Sequence, residues 1–532
     1  MNLSKVRCLL GPPGTGKTTE LLRRIEVLLA AGVRPDEIAF VTFTKRMATE
    51  ATDRAVKRFD LDPEAFPWFK TIHAMAFRAM GEKCDVMGSK DWAAFGETCS
   101  YEFSDSVIGE EMLNFEEDGD CLRSVDQLAR VMRAPIDAAI DHAGDVPPHL
   151  VPEMFATFAR RLTAWKSDNR KIDFVDMLER ALVTAWRPPV RFAFVDEAQD
   201  NSRIQNSLIR HWFIENSRCE LVTYAGDDDQ QINTWAGAQG GALQWIAEHA
   251  GALEILGQSW RVPRAAHGLA EAIIRQNVNR VAKTYAPRDH QGRLLFANDA
   301  AQALSQLAAG DTLALVRNVV FAKGLRESCL SAGLLFHGEV GGGSPLDRKD
   351  SRGAFNAISS WRRDVAASAA EFKSLLEFIP SNSHATRLLP VGTKKRAKEN
   401  RDPVPLWRAR DEFKLGGLLD RFVGPHPFDA LVKLEPDERH YLSVVHARDP
   451  LLAGFFVNIT SIHRAKGREA VNVILQPNLA KRTARRRDTS ALGLHEENCC
   501  AYVAATRPRD SLIILDPSSR LFYDYGRLAR VA

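Results

Sequence analysis

The octapeptide Gly11-Pro12-Pro13-Gly14-Thr15-Gly16-Lys17-Thr18 restricts the fold of this chain more than any other stretch of its sequence. It fits GxxxxGK[ST]. The apolar run Val6–Leu10 precedes it, and a segment from Thr18 to about Leu29 follows, with Leu21, Leu22, Ile25, Leu28 and Leu29 at helical spacing. The pattern predicts a strand, a glycine-rich loop and a helix. Glycines let successive backbone N–H groups turn toward a phosphate chain, and the helix N-terminus adds a dipole that favours anions. Lys17 is placed to reach the β- and γ-phosphates of a nucleoside triphosphate, and Thr18 to ligate Mg²⁺. Gly11 through Thr18, with Thr19 beside them, form the candidate nucleotide site. Such a loop serves kinases, GTPases, AAA+ proteins and helicases alike, so it does not select among them.

Strand–loop–helix units of this kind assemble parallel α/β sheets, and the rest of the chain keeps that rhythm. Strand-like runs recur at Ile38–Phe43, Phe192–Val195, Leu221–Ala225, Thr312–Val316, Phe455–Ile459, Val471–Leu475 and Leu512–Leu515, and Lys45–Phe59 reads as a helix. Between about Gly81 and Trp165 the strand-like runs vanish and helical composition dominates. Gly341-Gly342-Gly343 marks a second break, followed by a partly helical stretch to about Gly454. The expected architecture is α/β with two parallel-sheet cores, each carrying a mostly helical insertion. The first core would take 1–80 and 165–250, with 81–164 inserted. The second would take 251–340 and 452–532, with a reduced insertion at 341–451. One run ends in carboxylates: Phe192-Ala193-Phe194-Val195 leads into Asp196 and Glu197. Asp196 is the candidate second ligand of Mg²⁺, and Glu197 the candidate general base for an attacking water.

Composition narrows less. Net charge is +3, with 45% hydrophobic and 26% charged residues, an ordinary globular balance without a strong electrostatic footprint. None of the eight cysteines forms a CxxC pair; Cys84, Cys99 and Cys121 fall in one segment but not at zinc spacing, and reduced thiols are expected. The N-terminus lacks the pattern of a signal peptide, and no apolar run approaches the ~20 residues that span a bilayer. A soluble, cytoplasmic protein without membrane contact is expected. Basic runs at Lys394-Lys395-Arg396, Lys481-Arg482 and Arg485-Arg486-Arg487 read as solvated faces or as nucleic-acid contacts.

Further boxes resemble those of the UvrD/Rep helicases of superfamily 1, in that family's order. Asp196-Glu197-Ala198-Gln199-Asp200 resembles its DEAQD box, Gly226 to Ala238 resembles GDxDQxIYxWRGA, and Leu256-Gly257-Gln258-Ser259-Trp260-Arg261 resembles LxxNYR. Thr460 to Ala470 resembles TxHxxKGLE, Tyr502 to Arg507 resembles YVAxTR, and Ile172 to Leu178 resembles the DFxDLL segment before DEAQD. Thr42-Phe43-Thr44 and Thr71-Ile72-His73 resemble the early boxes that touch DNA. The resemblance implies two RecA-like cores, use of ATP with Mg²⁺, and movement along single-stranded DNA or from a single-strand/duplex junction, 3′ to 5′. It also implies roles. Gln230 would sense the γ-phosphate, Arg261 and Arg507 would be arginine fingers from the second core, Glu469 beside Gly467 would bond the ribose, and Trp260 would stack on the base. Phe43 and Trp235 would stack on bases of the strand, at about 1–3 kcal/mol each. Thr44, Thr71, His73, Thr460 and His463 would contact its backbone.

The chain departs from the family in places. No glutamine precedes the phosphate loop, Asn233 stands for a tyrosine, Thr19 for an arginine, and Asn498-Cys499 for an arginine pair. The short second insertion suits a less regulated motor or one that works with a protein partner. A strand-stimulated ATPase that strips proteins and barely unwinds duplex is the alternative activity. A non-catalytic scaffold is disfavoured by the intact Lys17, Asp196, Glu197, Gln230, Arg261 and Arg507.

Overall fold

The apolar runs become the strands of two parallel sheets. A computed structural model describes residues 3–81, 85–104, 117–144, 146–380, 389–447 and 456–531. They divide into two compact units, one of residues 1–290, 482–506 and 528–532, the other of 291–481 and 507–527.

In the first unit the strands are β1 (Val6–Leu10), β2 (Ile38–Thr42), β3 (Phe69–Thr71), the short pair β4 (Asp85–Val86) and β5 (Lys171–Ile172), β6 (Phe192–Val195), β7 (Leu221–Gly226) and β8 (Ala252–Ile255). Among the described residues the main sheet runs β3-β2-β6-β7-β1-β8, every neighbour parallel. Register places Thr42 against Thr71, Val195 against Tyr224, and Leu10 between Gly226 and Ile255. The carboxyl ends of these strands therefore form one edge, where ligands of open α/β sheets bind. β1 and β2 are near-continuously buried, as a sheet covered on both faces requires.

The helices of this unit up to residue 290, among the described residues, are α1 (Lys17–Ala30), α2 (Lys45–Phe59), α3 (Ile72–Met80), α4 (Ser89–Cys99), α5 (Asp118–Met132), α6 (Ile136–Ala143), α7 (Pro152–Asp168), α8 (Phe174–Val183), α9 (Arg203–Ile209), α10 (Ala242–His249) and α11 (Arg264–Ile274). Their starts are chemically marked: Thr44 accepts from the Met47 N–H, Thr71 from that of Ala74, and Asp173 from that of Asp176. α4 to α7 hold a core of their own around Phe95, Cys121, Phe155, Phe158 and Leu162. Cys99 and Cys121 lie in that apolar core, where burial raises both thiols, Cys121 to about 12. Cys84 falls outside the described residues.

The second unit contains β9 (Arg293–Ala297), β10 (Thr312–Val316), β11 (Leu335–Gly338), β12 (Phe456–Ser461), β13 (Ala470–Gln476) and β14 (Pro508–Leu515), in the parallel order β11-β12-β10-β13-β14-β9. Helices at Lys349–Arg362, Ala369–Glu377, Thr393–Glu399, Leu406–Asp411, Gly416–Val423 and Pro436–Ala447 pack around Trp361, Phe372, Phe422 and Tyr441. Among the described residues, no helix is long and apolar enough to cross a membrane.

The first compact unit extends past residue 250. Residues 251–290 belong to the first unit, because β8 pairs with β1 and the 276–283 loop bonds back to the end of β7. Residues 482–506 also join the first unit, where the Ala491–Ala505 helix packs on α11. Both segments complete the first sheet's surroundings from a distance in sequence, which local pattern does not reveal.

Candidate active site at the edge of the first sheet

The phosphate loop joins β1 to α1 as expected. Gly11 N–H donates to Gly226 O at 3.0 Å, tying the loop to β7. Thr15 donates its hydroxyl to Pro12 O at 2.8 Å. Gly14 and Gly16 take φ of 73° and 84°, a left-handed backbone that admits glycine without strain. Gly14 is needed for a second reason: a Cβ there would lie 2.5 Å from Arg261 Cβ. Lys17 Nζ folds back to Gly11 O at 2.8 Å, while Thr19 points outward on α1.

Asp196 stands at the end of β6, two strands from β1, and Thr18 Oγ1 donates to its Oδ2 at 2.8 Å. Burial, then the charge of neighbouring Glu197, pushes the Asp196 pKa upward against the pull of Lys17 and Thr18. Two oxygen donors side by side, with surplus negative charge, fit Mg²⁺, which takes oxygen ligands and binds through one or two carboxylates plus phosphates. Glu197 adopts φ 52°, turning its side chain off the strand line. Gln199 Nε2 donates to Glu197 Oε2, and Gln199 Oε1 accepts from Asp227 N at 3.1 Å. Gly226 makes room for this bridge, since a Cβ there would meet Gln199 Oε1 at 2.4 Å. Gln230 Nε2 donates to Asp227 Oδ2 at 2.7 Å. Lys17, Thr18, Asp196, Glu197 and Gln230 thus belong to one sheet edge.

Arg261 falls within the first compact unit. Ser259 Oγ donates to Pro13 O at 2.7 Å and Trp260 N–H to Gly14 O at 2.9 Å, so residues 259–261 lie directly on the phosphate loop. The Trp260 ring is 73% exposed beside it. Arg507 lies in the second unit, buried, with Nη1 donating to Arg468 O at 3.2 Å. Gly467 (φ 76°) and the exposed Glu469 precede β13 in that unit.

The strand-contact candidates divide between the units. Phe43, Thr44, Thr71 and His73 gather just past the paired ends of β2 and β3. Thr44 and Thr71 are also helix caps, and half-buried His73 meets Phe174 edge-on at 6.1 Å. Burial lowers the His73 pKa, which favours the neutral ring. Trp235 is half-buried, and its indole N–H has no partner among the described residues. Thr460 and His463 are buried in the second unit, with Thr460 donating to Glu339 at 2.7 Å. Of the basic runs, Arg482 donates to Ala143 O at 2.6 Å and Arg486 pairs with Glu496 at 2.9 Å, so these two serve the protein interior. Glu496 in turn accepts from Thr234, next to Trp235.

Three groups that the motif reading passed over complete the edge: Ser259, Gln199 as a bridge, and the cations Arg280 and Lys283. Among the described residues, Asp227, Asp228 and Asp229 form the one group of three or more acidic, His or Cys side chains close enough together to hold a metal. Lys283 and Arg280 already neutralise it. Burial opposes the Lys283 charge, yet the three carboxylates outweigh that and hold its pKa above the ordinary lysine value.

Sequence profiles agree with this geometry. That of the UvrD/REP helicase N-terminal domain matches residues 2–250, and that of the UvrD-like helicase C-terminal domain matches 450–518, together more than half of the chain. The chain belongs to the UvrD/Rep helicase family. Among curated UvrD/Rep relatives, the ATP-dependent DNA helicase PcrA of Leuconostoc citreum is 24% identical over 369 residues, 64% of this chain and 49% of that protein. The ATP-dependent DNA helicase Rep of Escherichia coli (strain K12) is 23% identical over 265 residues, 47% of this chain and 38% of that protein. The match spans about half the length of the first relative and less of the second. A solved arterivirus nonstructural protein 10 helicase with DNA aligns over 99% of this chain and 64% of its own, at 12% identity and a TM-score of 0.33.

Proposed function

We propose that this UvrD/Rep chain is an ATP-hydrolysing motor that moves 3′ to 5′ along single-stranded DNA, entered from a strand end or a junction. The observation that carries the reading is the meeting of Lys17, Thr18, Asp196, Glu197 and Gln230 at one strand edge, with Thr18 bonded to Asp196.

The residues suggest how hydrolysis would proceed. Gly11 to Thr18 cradle the phosphates, and Lys17 leaves Gly11 O to meet them. Thr18 and Asp196 would hold Mg²⁺, which supplies charge neutralisation at the β- and γ-phosphates. Glu197, oriented by the Gln199 amide, accepts a proton from the water attacking the γ-phosphorus, and ADP departs. Trp260, exposed beside the loop, offers a face for the base. Arg261 approaches from the same unit, while the part of Arg507 rests on the family resemblance. Gln230 and Trp235 share one loop, so a shift of Gln230 on phosphate release would pass along five residues to the ring proposed to stack on the strand. A protein partner at the short second insertion remains part of this reading.

The test combines hydrolysis and displacement. ATP turnover measured with and without oligo-dT should rise with the strand and vanish in Glu197→Gln, which still binds fluorescent ATP. Duplexes with a 3′ single-stranded tail should be displaced and those with a 5′ tail left intact. Displacement from 5′ tails alone would refute the polarity. Stimulated turnover without displacement of either duplex would favour the protein-stripping reading.

A further inference from the structure

Three consecutive carboxylates, Asp227, Asp228 and Asp229, are buried to 0%, 1% and 1% exposure just past β7. Buried carboxylates require counter-charge. It arrives from a loop far along the chain. Lys283 Nζ lies 3.2 Å from Asp227 Oδ1, 2.5 Å from Asp228 Oδ1 and 2.7 Å from Asp229 Oδ2. Arg280 forks onto Asp229 at 2.7 and 2.5 Å, and Val281 N–H donates to Asp228 Oδ2 at 2.8 Å. An ammonium thus occupies the place a divalent cation would take among these acids.

The cluster is not remote from the chemistry. The other oxygen of Asp227, Oδ2, accepts from Gln230, and its backbone N–H donates to Gln199, which holds Glu197. Lys283 is therefore one carboxylate away from the amide of Gln230. Through the backbone N–H of the same Asp227 and the amide of Gln199, it is two residues away from the general base. We propose that Lys283, seconded by Arg280, is a positioning residue of the hydrolytic centre: it pins the Asp227–Asp229 turn so that Gln230 and Gln199 present their amides in fixed directions. This inference rests on the motor reading for the meaning of Gln230 and Glu197.

The experiment compares the parent with Lys283→Met, Lys283→Arg, Gln230→Ala, the Lys283→Met/Gln230→Ala double variant, and the charge-compensated Lys283→Met/Asp228→Asn. Turnover on oligo-dT and backbone hydrogen exchange are both followed. Loss of a residue that orients an active group costs about 10–100-fold, so kcat should fall by that factor in Lys283→Met. KM for ATP should stay within about threefold, as expected for an interaction that matters in the transition state. The loss should not multiply with that of Gln230→Ala, because both act through one amide. Exchange should quicken at residues 227–231 and not at 11–18, and Lys283→Arg should recover part of kcat. If Lys283→Met fails to fold, the compensated variant carries the same comparison. Unchanged exchange at 227–231, or kcat within about twofold of the parent in a folded variant, overturns the proposal. So do multiplying losses. A parent without strand-stimulated turnover overturns the motor reading instead, and the exchange result then decides the positioning claim alone.

Discussion

Replacing Asp126 with asparagine should stabilise the protein near neutral pH and do nothing in acid. Asp126 belongs to a buried ionic cluster that joins α5 and α7 to α8. Arg130 reaches Asp126 at 3.5 Å, Asp173 at 2.8 Å, Asp176 at 2.5 Å and Glu179 at 2.6 Å, and Lys166 meets Asp173 and Asp176, each at 2.7 Å. Two cations face four acids, and Asp126 holds the longest bond. Burial raises its pKa from 3.8 to about 6, with Arg130 opposing and Asp173 adding to the rise. For an acid raised on folding, the folded state binds the proton more tightly. The penalty is absent below about 3.8, grows between the two values and is complete above about 6. At 1.36 kcal/mol per pH unit, the full penalty is about 3 kcal/mol. Asparagine keeps the shape and removes the charge, so it should gain up to about 3 kcal/mol at about pH 8 and close to nothing at about pH 4. Urea unfolding followed by pulsed hydrogen exchange in α5 isolates the relevant transition, since a chain of several domains need not unfold in one step. Equal or lower stability of the variant at the higher pH would refute the reasoning. So would a gain that does not shrink in acid.

Gly226→Ala should cost about 1–3 kcal/mol by overpacking, because its methyl would press on Gln199 Oε1 and Leu243. Turnover should fall at the same time as Gln199 is pushed off Glu197; a melting curve and kcat measured on one preparation check both. Trp260→Ala should leave stability within about 0.5 kcal/mol, since the ring is 73% exposed, while KM for ATP rises at least fivefold, corresponding to about 1 kcal/mol or more of lost stacking. An unchanged KM would remove Trp260 from the nucleotide site.

Most of the α/β plan could be read from residues alone. Phe192–Val195, Thr312–Val316 and Lys45–Phe59 match their predicted bounds, because buried parallel strands and a well-capped helix write strong local patterns. β3, β8, β9 and β11 escaped notice. β3 is only three residues long, and β8 and β9 carry exposed residues that blur an apolar run. Groups of the candidate site were legible where neighbours in sequence share one motif, as in Lys17-Thr18 or Asp196-Glu197. Lys283 was not, because its partners lie more than fifty residues back and no periodicity connects them. One clue was present: three successive acids after an apolar run must be solvated or paired, and a buried strand end excludes solvation. The reach of the first compact unit past residue 250 has the same origin, since β8 joins it only by pairing with β1.

The chain leaves the first unit after His290, returns at Arg482 and leaves again after Thr506. That route sets an order of manufacture. The phosphate loop emerges from the ribosome hundreds of residues before the helix Ala491–Ala505, which gives Glu496 to Thr234 and packs on α11. At about 5–20 residues per second, the loop waits tens of seconds for the piece that completes its own unit. A nascent chain would thus carry the phosphate loop long before the loop around Trp235, proposed to contact the strand, has its final support, so the proposed binding and coupling would mature at different times. Chains stalled before residue 482 should bind nucleotide, if at all, without strand stimulation.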